Sequence, residues 1–377
     1  GKEIFHVKVP VSEETDHSCD LTKIKKEIED LLFYVLVKNV NIEFDVKEDA
    51  SLYKRDRNLD FKNTDNICLF SGGVDSLSGI ITLNSKIKGL QGVYVAHGDQ
   101  PKGVAVVTKL QEEILNKLHI PINILYAPPM KRFGYSQLRG FLYCLYGSVY
   151  VSLCKAKNLF ITECGPTMYQ PRFSPFDTVT MTTHPYVLKK ARNIIELLLK
   201  RNVNLVIPFE NLTKAEVISA SPIKNHFKES HSCISLGTGR NDGKCYGCIV
   251  RRLGAIVAKV NDADYDYDPI TMDFEKADNL ISLLRFSHDI LISYETMNFT
   301  SKENIFVYKK QRLFKRFSMD NFTAIYILKK EGKETNPYLE NLYDAVLKKI
   351  GEKGFENRIT EVRKGRFIPN FNKSVLN

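Results

Sequence analysis

Ser71-Gly72-Gly73-Val74-Asp75-Ser76 follows the apolar run Asn66–Phe70 and leads into a helical pattern at Ser76-Leu77-Ser78. Gly72 and Gly73 permit backbone conformations, and an approach to an anion, that side chains would block. Backbone N–H groups and a helix dipole then face the anion, and the hydroxyls of Ser71 and Ser76 can add donors. Asp75 is the informative residue, because a carboxylate beside a phosphate repels it unless a divalent cation lies between them. The loop therefore implies a bound phosphate held with Mg²⁺. A bare Gly-Gly turn before a helix is the competing reading, but it needs neither the serines nor the aspartate. The Gly-Lys-Ser/Thr ending of a Walker loop is absent, which disfavours γ-phosphoryl transfer.

Two further groups carry chemistry. Cys245 and Cys248 are spaced so that both thiolates reach one ion; Cys233 is the natural third ligand, and Zn²⁺ the expected metal. A redox disulfide is the alternative, but that motif usually opens a helix directly after a strand, a context not evident here. The other group is Glu163 with Thr182-Thr183-His184. Glu163 at a strand's carboxyl end can hold a purine-like N–H edge or a metal, and the three residues before a helix can bind an anion or simply cap that helix.

The elements that must position these residues follow from hydrophobic patterning. Five apolar runs, Asn66–Phe70, Gly92–Ala96, Ile122–Tyr126, Leu159–Thr162 and Asn204–Ile207, alternate with longer helical patterns, the signature of an α/β fold with a doubly wound parallel sheet. Ligands in such sheets bind beyond the carboxyl ends of the strands, which singles out the loops opening at Ser71, His97, Glu163 and Pro208. His97 is thereby a candidate nucleotide contact. Residues 1–62 read as an N-terminal α+β addition: a strand Glu3–Val9, a helix Leu21–Val37, a strand Val40–Val46 and a charged connector. Residues 63–262 form the main domain with the cysteine cluster, and 263–377 a basic helical region with helices over Ala277–Thr296, Asn321–Lys330 and Tyr338–Ile350.

The 377 residues, 43% hydrophobic and 26% charged, have the composition of a soluble globular protein. No apolar run approaches the roughly 20 residues that span a bilayer, so no membrane partner and a cytoplasmic location are expected. The net charge of +10 is spread along the chain, with a modest concentration from Lys302 to Lys330; a solvated surface is the expected reading and RNA a secondary one.

The motif at 71–76 is identified as the PP-loop signature S-G-G-x-D-S, which implies a PP-loop ATP pyrophosphatase: ATP cleaved between its α- and β-phosphates, with an adenylylated substrate and pyrophosphate as products. Ser232-Cys233, Cys245, Cys248 and Arg251, with Pro208 and Lys214-Ala215-Glu216, resemble the 7-cyano-7-deazaguanine synthase (QueC-like) branch over residues 66–255. Lys214 is then a catalytic candidate beside Asp75 and Ser76. The chain has Asp242 where that branch has another cysteine, which leaves the fourth zinc ligand to His231, the preferred candidate, or to Asp242. It also lacks the branch's Pro-Asp-Cys-Arg-Pro-Glu-Phe-like substrate segment. In its place, Glu163-Cys164-Gly165 and Thr182-Thr183-His184-Pro185 look like the pattern of QueC-like proteins in bacterial anti-phage systems such as Qat and type IV CBASS. The resemblance implies a carbon–nitrogen ligase that adenylylates a deazapurine carboxylate, 7-carboxy-7-deazaguanine, and couples it to ammonia or to an amine of a partner protein. Glu163, Gly165, Thr182, Thr183 and His184 would lie at the substrate. The helices after Val260, together with residues 1–62, are expected to supply a docking face for that protein, so that truncating the C-terminal region would spare adenylylation and abolish conjugation. Alternatives are a housekeeping nitrile synthase for queuosine, a tRNA-modifying thiolase or lysidine-type ligase with Cys164 carrying persulfide, and a non-catalytic assembly subunit.

Overall fold

The computed structural model describes residues 4–47, 63–95, 112–113, 115–117, 124–126, 138–169, 171–173, 182–230, 232, 241–271, 277–297, 299 and 304–371. Strand β1 (Ile4–Ser12), helices α1 (Glu13–Ser18) and α2 (Leu21–Leu36) and strand β2 (Asn39–Lys47) form a βαβ unit whose two strands pair in parallel. Among the described residues this two-stranded sheet is separate from the main one. The unit docks through α2: Lys190 bonds Asp30 and Glu27, and Tyr34 stacks on Tyr186 at 4.0 Å between ring centroids.

The main sheet contains β3 (Asn66–Phe70), β4 (Leu90–Tyr94), β5 (Ile124–Tyr126), β6 (Asn158–Phe160) and β7 (Asn204–Val206), all parallel and ordered β5-β4-β3-β6-β7. Each expected core strand is present, within a few residues of the expected bounds. Interleaved with them are α3 (Val74–Asn84), α4 (Arg139–Leu153), α5 (Gly165–Tyr169), α6 (Pro185–Leu199) and α7 (Lys214–Ala220). The two-residue period of the strands sorts their side chains between the faces. Ile67, Leu69, Val93 and Leu159 share a core with α4 and α6, whereas Cys68, Phe70, Tyr94 and Phe160 share one with α3. A parallel sheet covered on both faces needs apolar residues at nearly every position, as these strands have.

Helices α8 (Tyr246–Ala258), α9 (Asp278–Ile292), α10 (Ile305–Lys309), α11 (Gln311–Lys330) and α12 (Glu340–Lys364) complete the chain, α12 being broken at Gly351, where φ is 73°. Helix α11 begins ten residues before the expected Asn321, because its first half packs Leu313, Phe314 and Phe317 on one face among the charges that obscure the periodicity. These helices are continuous with the core on the α4/α6 side of the sheet. No helix among the described residues is long and apolar enough to cross a membrane.

Candidate functional site

The strand order reverses direction between β3 and β6: the chain leaves β3 for β4 and β5, then returns to β6 on the other side. Loops at such a reversal splay apart and leave a crevice at the carboxyl ends. The loop after β3 is the Ser71–Gly73 turn. Gly72 has φ 81°, a left-handed conformation that a side chain would strain, and Gly73 forms the N-cap of α3 without any side-chain cap on the helix amides. Ser76 draws the turn together. Its Oγ donates to the Gly73 carbonyl at 2.9 Å and accepts from the Ser71 amide and hydroxyl, each at 3.3 Å. Val74 is buried and anchors the first turn of α3 in the core. Gly79, one turn further, lets α3 lie against the end of β6: a Cβ there would meet Thr162 Cβ at 2.2 Å.

Asp75 is 6% exposed. Its Oδ2 accepts from the Cys164 amide at 3.3 Å, in the loop after β6, and from Lys214 Nζ at 2.5 Å, at the start of the helix after β7. Three carboxyl-end loops thus converge on one carboxylate. Glu163 joins them, with Asp75, Glu163 and Cys164 presenting donor atoms within 4.8 Å of one another. Asp75 Oδ1 is buried without a hydrogen-bond partner in the structure. Burial raises the Asp75 carboxyl most strongly, but the Lys214 ammonium together with hydrogen bonds from Glu163, Lys214 and the Cys164 amide holds it below its ordinary value. The opposite holds for Glu163, where burial and then the negative charge of Asp75 push the carboxyl up to about 8. Lys214 stays protonated: burial disfavours its charge, and the surrounding Asp75, Cys164 and Glu163 together more than restore it. Such a pair, one carboxylate ionised and one held near neutrality, suits a divalent cation that replaces the shared proton.

Lys214 owes its placement to a buried polar network. Thr213 caps α7 through a capping box with Glu216, the Thr213 hydroxyl donates to Asp320 at 2.5 Å, and Glu216 is wholly buried between Arg316 and Arg358, each at 2.7 Å. Arg358 also donates to Asp320 at 2.7 Å. The loop carrying Lys214 is therefore bolted to α11 and α12. Charged residues of the C-terminal helices thus contact the loop on which Lys214 sits. Lys310 adds a bond to Glu210 at 2.5 Å in the same loop.

The other expected substrate residues divide. Gly165 lies against the loop before α7, where a Cβ would come within 2.2 Å of the Glu210 carbonyl, so close packing explains this glycine. His184 is wholly buried; its Nδ1 accepts from the Tyr186 amide at 3.3 Å as the cap of α6, and its ring meets Phe306 edge-on at 5.0 Å. The capping alternative thus describes His184. Thr182 and Thr183 are buried beside it; the Thr182 carbonyl sits where a Cβ on Gly140 would be, at the start of α4, and Thr183 Oγ1 has no hydrogen-bond partner in the structure. Arg139, also at the start of α4, was not singled out by sequence reasoning, yet its charge acts on Glu163. A basic residue opening a helix gives no local signal of what it faces.

In the cysteine cluster, Asp242, Cys245 and Cys248 present their donor atoms within 4.8 Å of one another. Arg251, wholly buried, fastens the segment by donating to the carbonyls of Phe227 and Ser230 and to Asp262. Cys245 is the N-cap of α8, so one part of the redox context, a helix start, is present; the preceding residues 241–244 form a turn and an isolated bridge to Tyr265 and not a core strand. Cys233, His231 and His97 lie outside the described residues. No protein-family model matches the chain, and no match is found among curated proteins.

Proposed function

We propose that the chain is an ATP-dependent carbon–nitrogen ligase that adenylylates a carboxylate and releases pyrophosphate. The observation that carries this reading is the convergence of Asp75, Glu163 and Lys214 at the strand-order reversal, beside an uncapped glycine turn. The Ser71–Ser76 turn and the amides opening α3 suit the phosphates. Asp75 and Glu163 form an acidic pair fit for Mg²⁺, which when bound would neutralise the departing pyrophosphate. Lys214 brings a permanent positive charge to the same point and can stabilise charge developing on the α-phosphate. The PP-loop and QueC-like resemblance favours a deazapurine acid, 7-carboxy-7-deazaguanine, as the carboxylate and ammonia or a partner-protein amine as the nucleophile.

Cys164 weighs against tRNA thiolation. Burial, followed by the charge of Asp75, pushes its thiol up to about 12, the reverse of what a persulfide carrier needs. The direct test incubates the protein with ATP, Mg²⁺ and the deazapurine acid, with ammonia or with candidate acceptor proteins, and separates the products by mass spectrometry. AMP and pyrophosphate are expected; ADP and phosphate as products would exclude this reaction class.

A further inference from the structure

Asp242-Gly243-Lys244-Cys245 makes a tight turn into α8. Gly243 is indispensable to it, since φ is 79° and a Cβ would lie 1.7 Å from the Tyr267 carbonyl. The turn folds Asp242 back over the helix start, where Oδ1 accepts from the Lys244 amide at 2.9 Å and the Cys245 amide at 3.2 Å. Cys245 and Cys248 lie one helical turn apart on the same face, so the carboxylate and both sulfurs converge. Gly247 keeps the rim open to the neighbouring strand of chain: a Cβ would sit 2.8 Å from the Ser232 carbonyl.

The spacing alone leaves metal and disulfide chemistry open, and the carboxylate separates them. A disulfide uses two sulfurs and leaves a third converging donor without a role, whereas a metal ion takes all three. The carboxylate is an asset to a cation. Sulfurs sharing a tetrahedral zinc ion lie about 3.8 Å apart, given Zn–S bonds of about 2.3 Å, and a carboxylate oxygen at about 2.0–2.2 Å fits the same polyhedron. Donors within 4.8 Å of one another need only a small inward shift.

We propose that Asp242 is an oxygen ligand of a divalent zinc-class ion that Cys245 and Cys248 bind as thiolates. Binding exchanges the two thiol protons for the ion, with no change of oxidation state. Among the described residues, Asp242 is the donor that converges with Cys245 and Cys248. The inference is independent of the reaction proposed above, because it concerns a different segment and is read without ATP.

The test uses Co²⁺ as a spectroscopic probe on the full chain. Asp242→Asn keeps an oxygen to accept the Lys244 and Cys245 amides, so the turn survives, but it removes the anionic ligand. It is expected to lower Co²⁺ affinity at least about tenfold, with far-ultraviolet circular dichroism unchanged. Asp242→Cys is expected to restore affinity and to strengthen the sulfur-to-cobalt charge-transfer band, because a third thiolate replaces oxygen. Asp242→Asn protein that binds Co²⁺ as tightly as the parent with the same spectrum would overturn the assignment. So would anaerobically purified protein that carries a Cys245–Cys248 disulfide and no metal.

Discussion

Arg358→Met tests whether the C-terminal helices hold the site. Arg358 is 4% exposed and lies between Asp320, 3% exposed, and the fully buried Glu216. The substitution keeps most of the side-chain volume but removes both 2.7 Å bonds. Breaking a buried ion pair by removing one partner costs about 3–5 kcal/mol, because the remaining charge is left uncompensated. The third bond, to the exposed Glu361, adds at most about 1 kcal/mol. Against a total stability of about 5–15 kcal/mol, this is a large fraction, and the unfolding midpoint in urea should fall markedly. The loss should also depend on pH. Burial raises Asp320 and Arg358 restrains the rise, leaving it at about 6. Without the guanidinium the folded-state value climbs further, and a raised acid loses its stabilising contribution as pH rises through that value. The variant should therefore be closer to the parent at pH 5, where Asp320 is largely neutral, than at pH 8. Replacing both partners with apolar residues, Arg358→Met with Asp320→Leu, should recover part of the deficit. A single variant within about 0.5 kcal/mol of the parent, or a deficit independent of pH, would refute this account.

Asp75→Asn should retain the fold but lower AMP formation by at least about 100-fold, measured as pyrophosphate release with ATP and Mg²⁺; near-parental turnover would remove Asp75 from the chemistry. Glu163→Gln should change the pH dependence of thermal stability in metal-free protein. Glu163 is raised from 4.5 to about 8, so its stabilising contribution is complete below pH 4.5 and lost as pH rises through about 8; the parent should lose stability relative to the variant across that window, and Mg²⁺ should reverse the loss in the parent alone. Equal melting profiles from pH 4.5 to 8 would contradict the paired-carboxyl reading. Truncation after Ile292 should give protein that neither folds stably nor makes AMP, since it strips Phe314, Phe317, Phe322 and Phe355 from the core along with Arg316, Asp320 and Arg358. A soluble fragment making AMP at the parental rate would show instead that the C-terminal region is separable.

Local features of the sequence were legible because local physics dictates them. A continuous apolar run, two glycines and a helix start can hardly fold otherwise than as β3, the turn and α3, and five such runs were enough to anticipate the parallel sheet. Asp75 and Lys214 could each be picked out from their neighbours in sequence. What no local pattern carries is the bond between them, across 139 positions, or the bonds from Arg358 to Glu216 and Asp320. Buried charges look in sequence like surface charges, so α12 reads as a solvated helix although Arg358 lies in the core. The same blindness hid the first half of α11, where lysines and arginines surround the phenylalanines that pack inward. Threonines and histidine before α6 were readable as a cap or as an anion site, and only the burial of His184 under Phe306 favours the cap.

A buried network of this kind is an expensive way to gain stability, since well-packed apolar residues of similar volume often do as well. Its position supplies a different rationale. Lys214 must bring its ammonium to Asp75 with both groups nearly removed from water, and each would be costly to bury alone. A lysine side chain on a short helix of seven residues has little intrinsic rigidity. Glu216, two positions on, is fixed by Arg316 and Arg358, while the Thr213 hydroxyl immediately before Lys214 is fixed by Asp320. The residues flanking Lys214 are thus clamped from both sides by groups outside the sheet. Pre-positioning an ammonium beside the carboxylate proposed to hold Mg²⁺ is what charge stabilisation in a water-excluded site requires, because nothing then has to reorganise when charge develops. The helices that follow the sheet complete the geometry which the sheet begins.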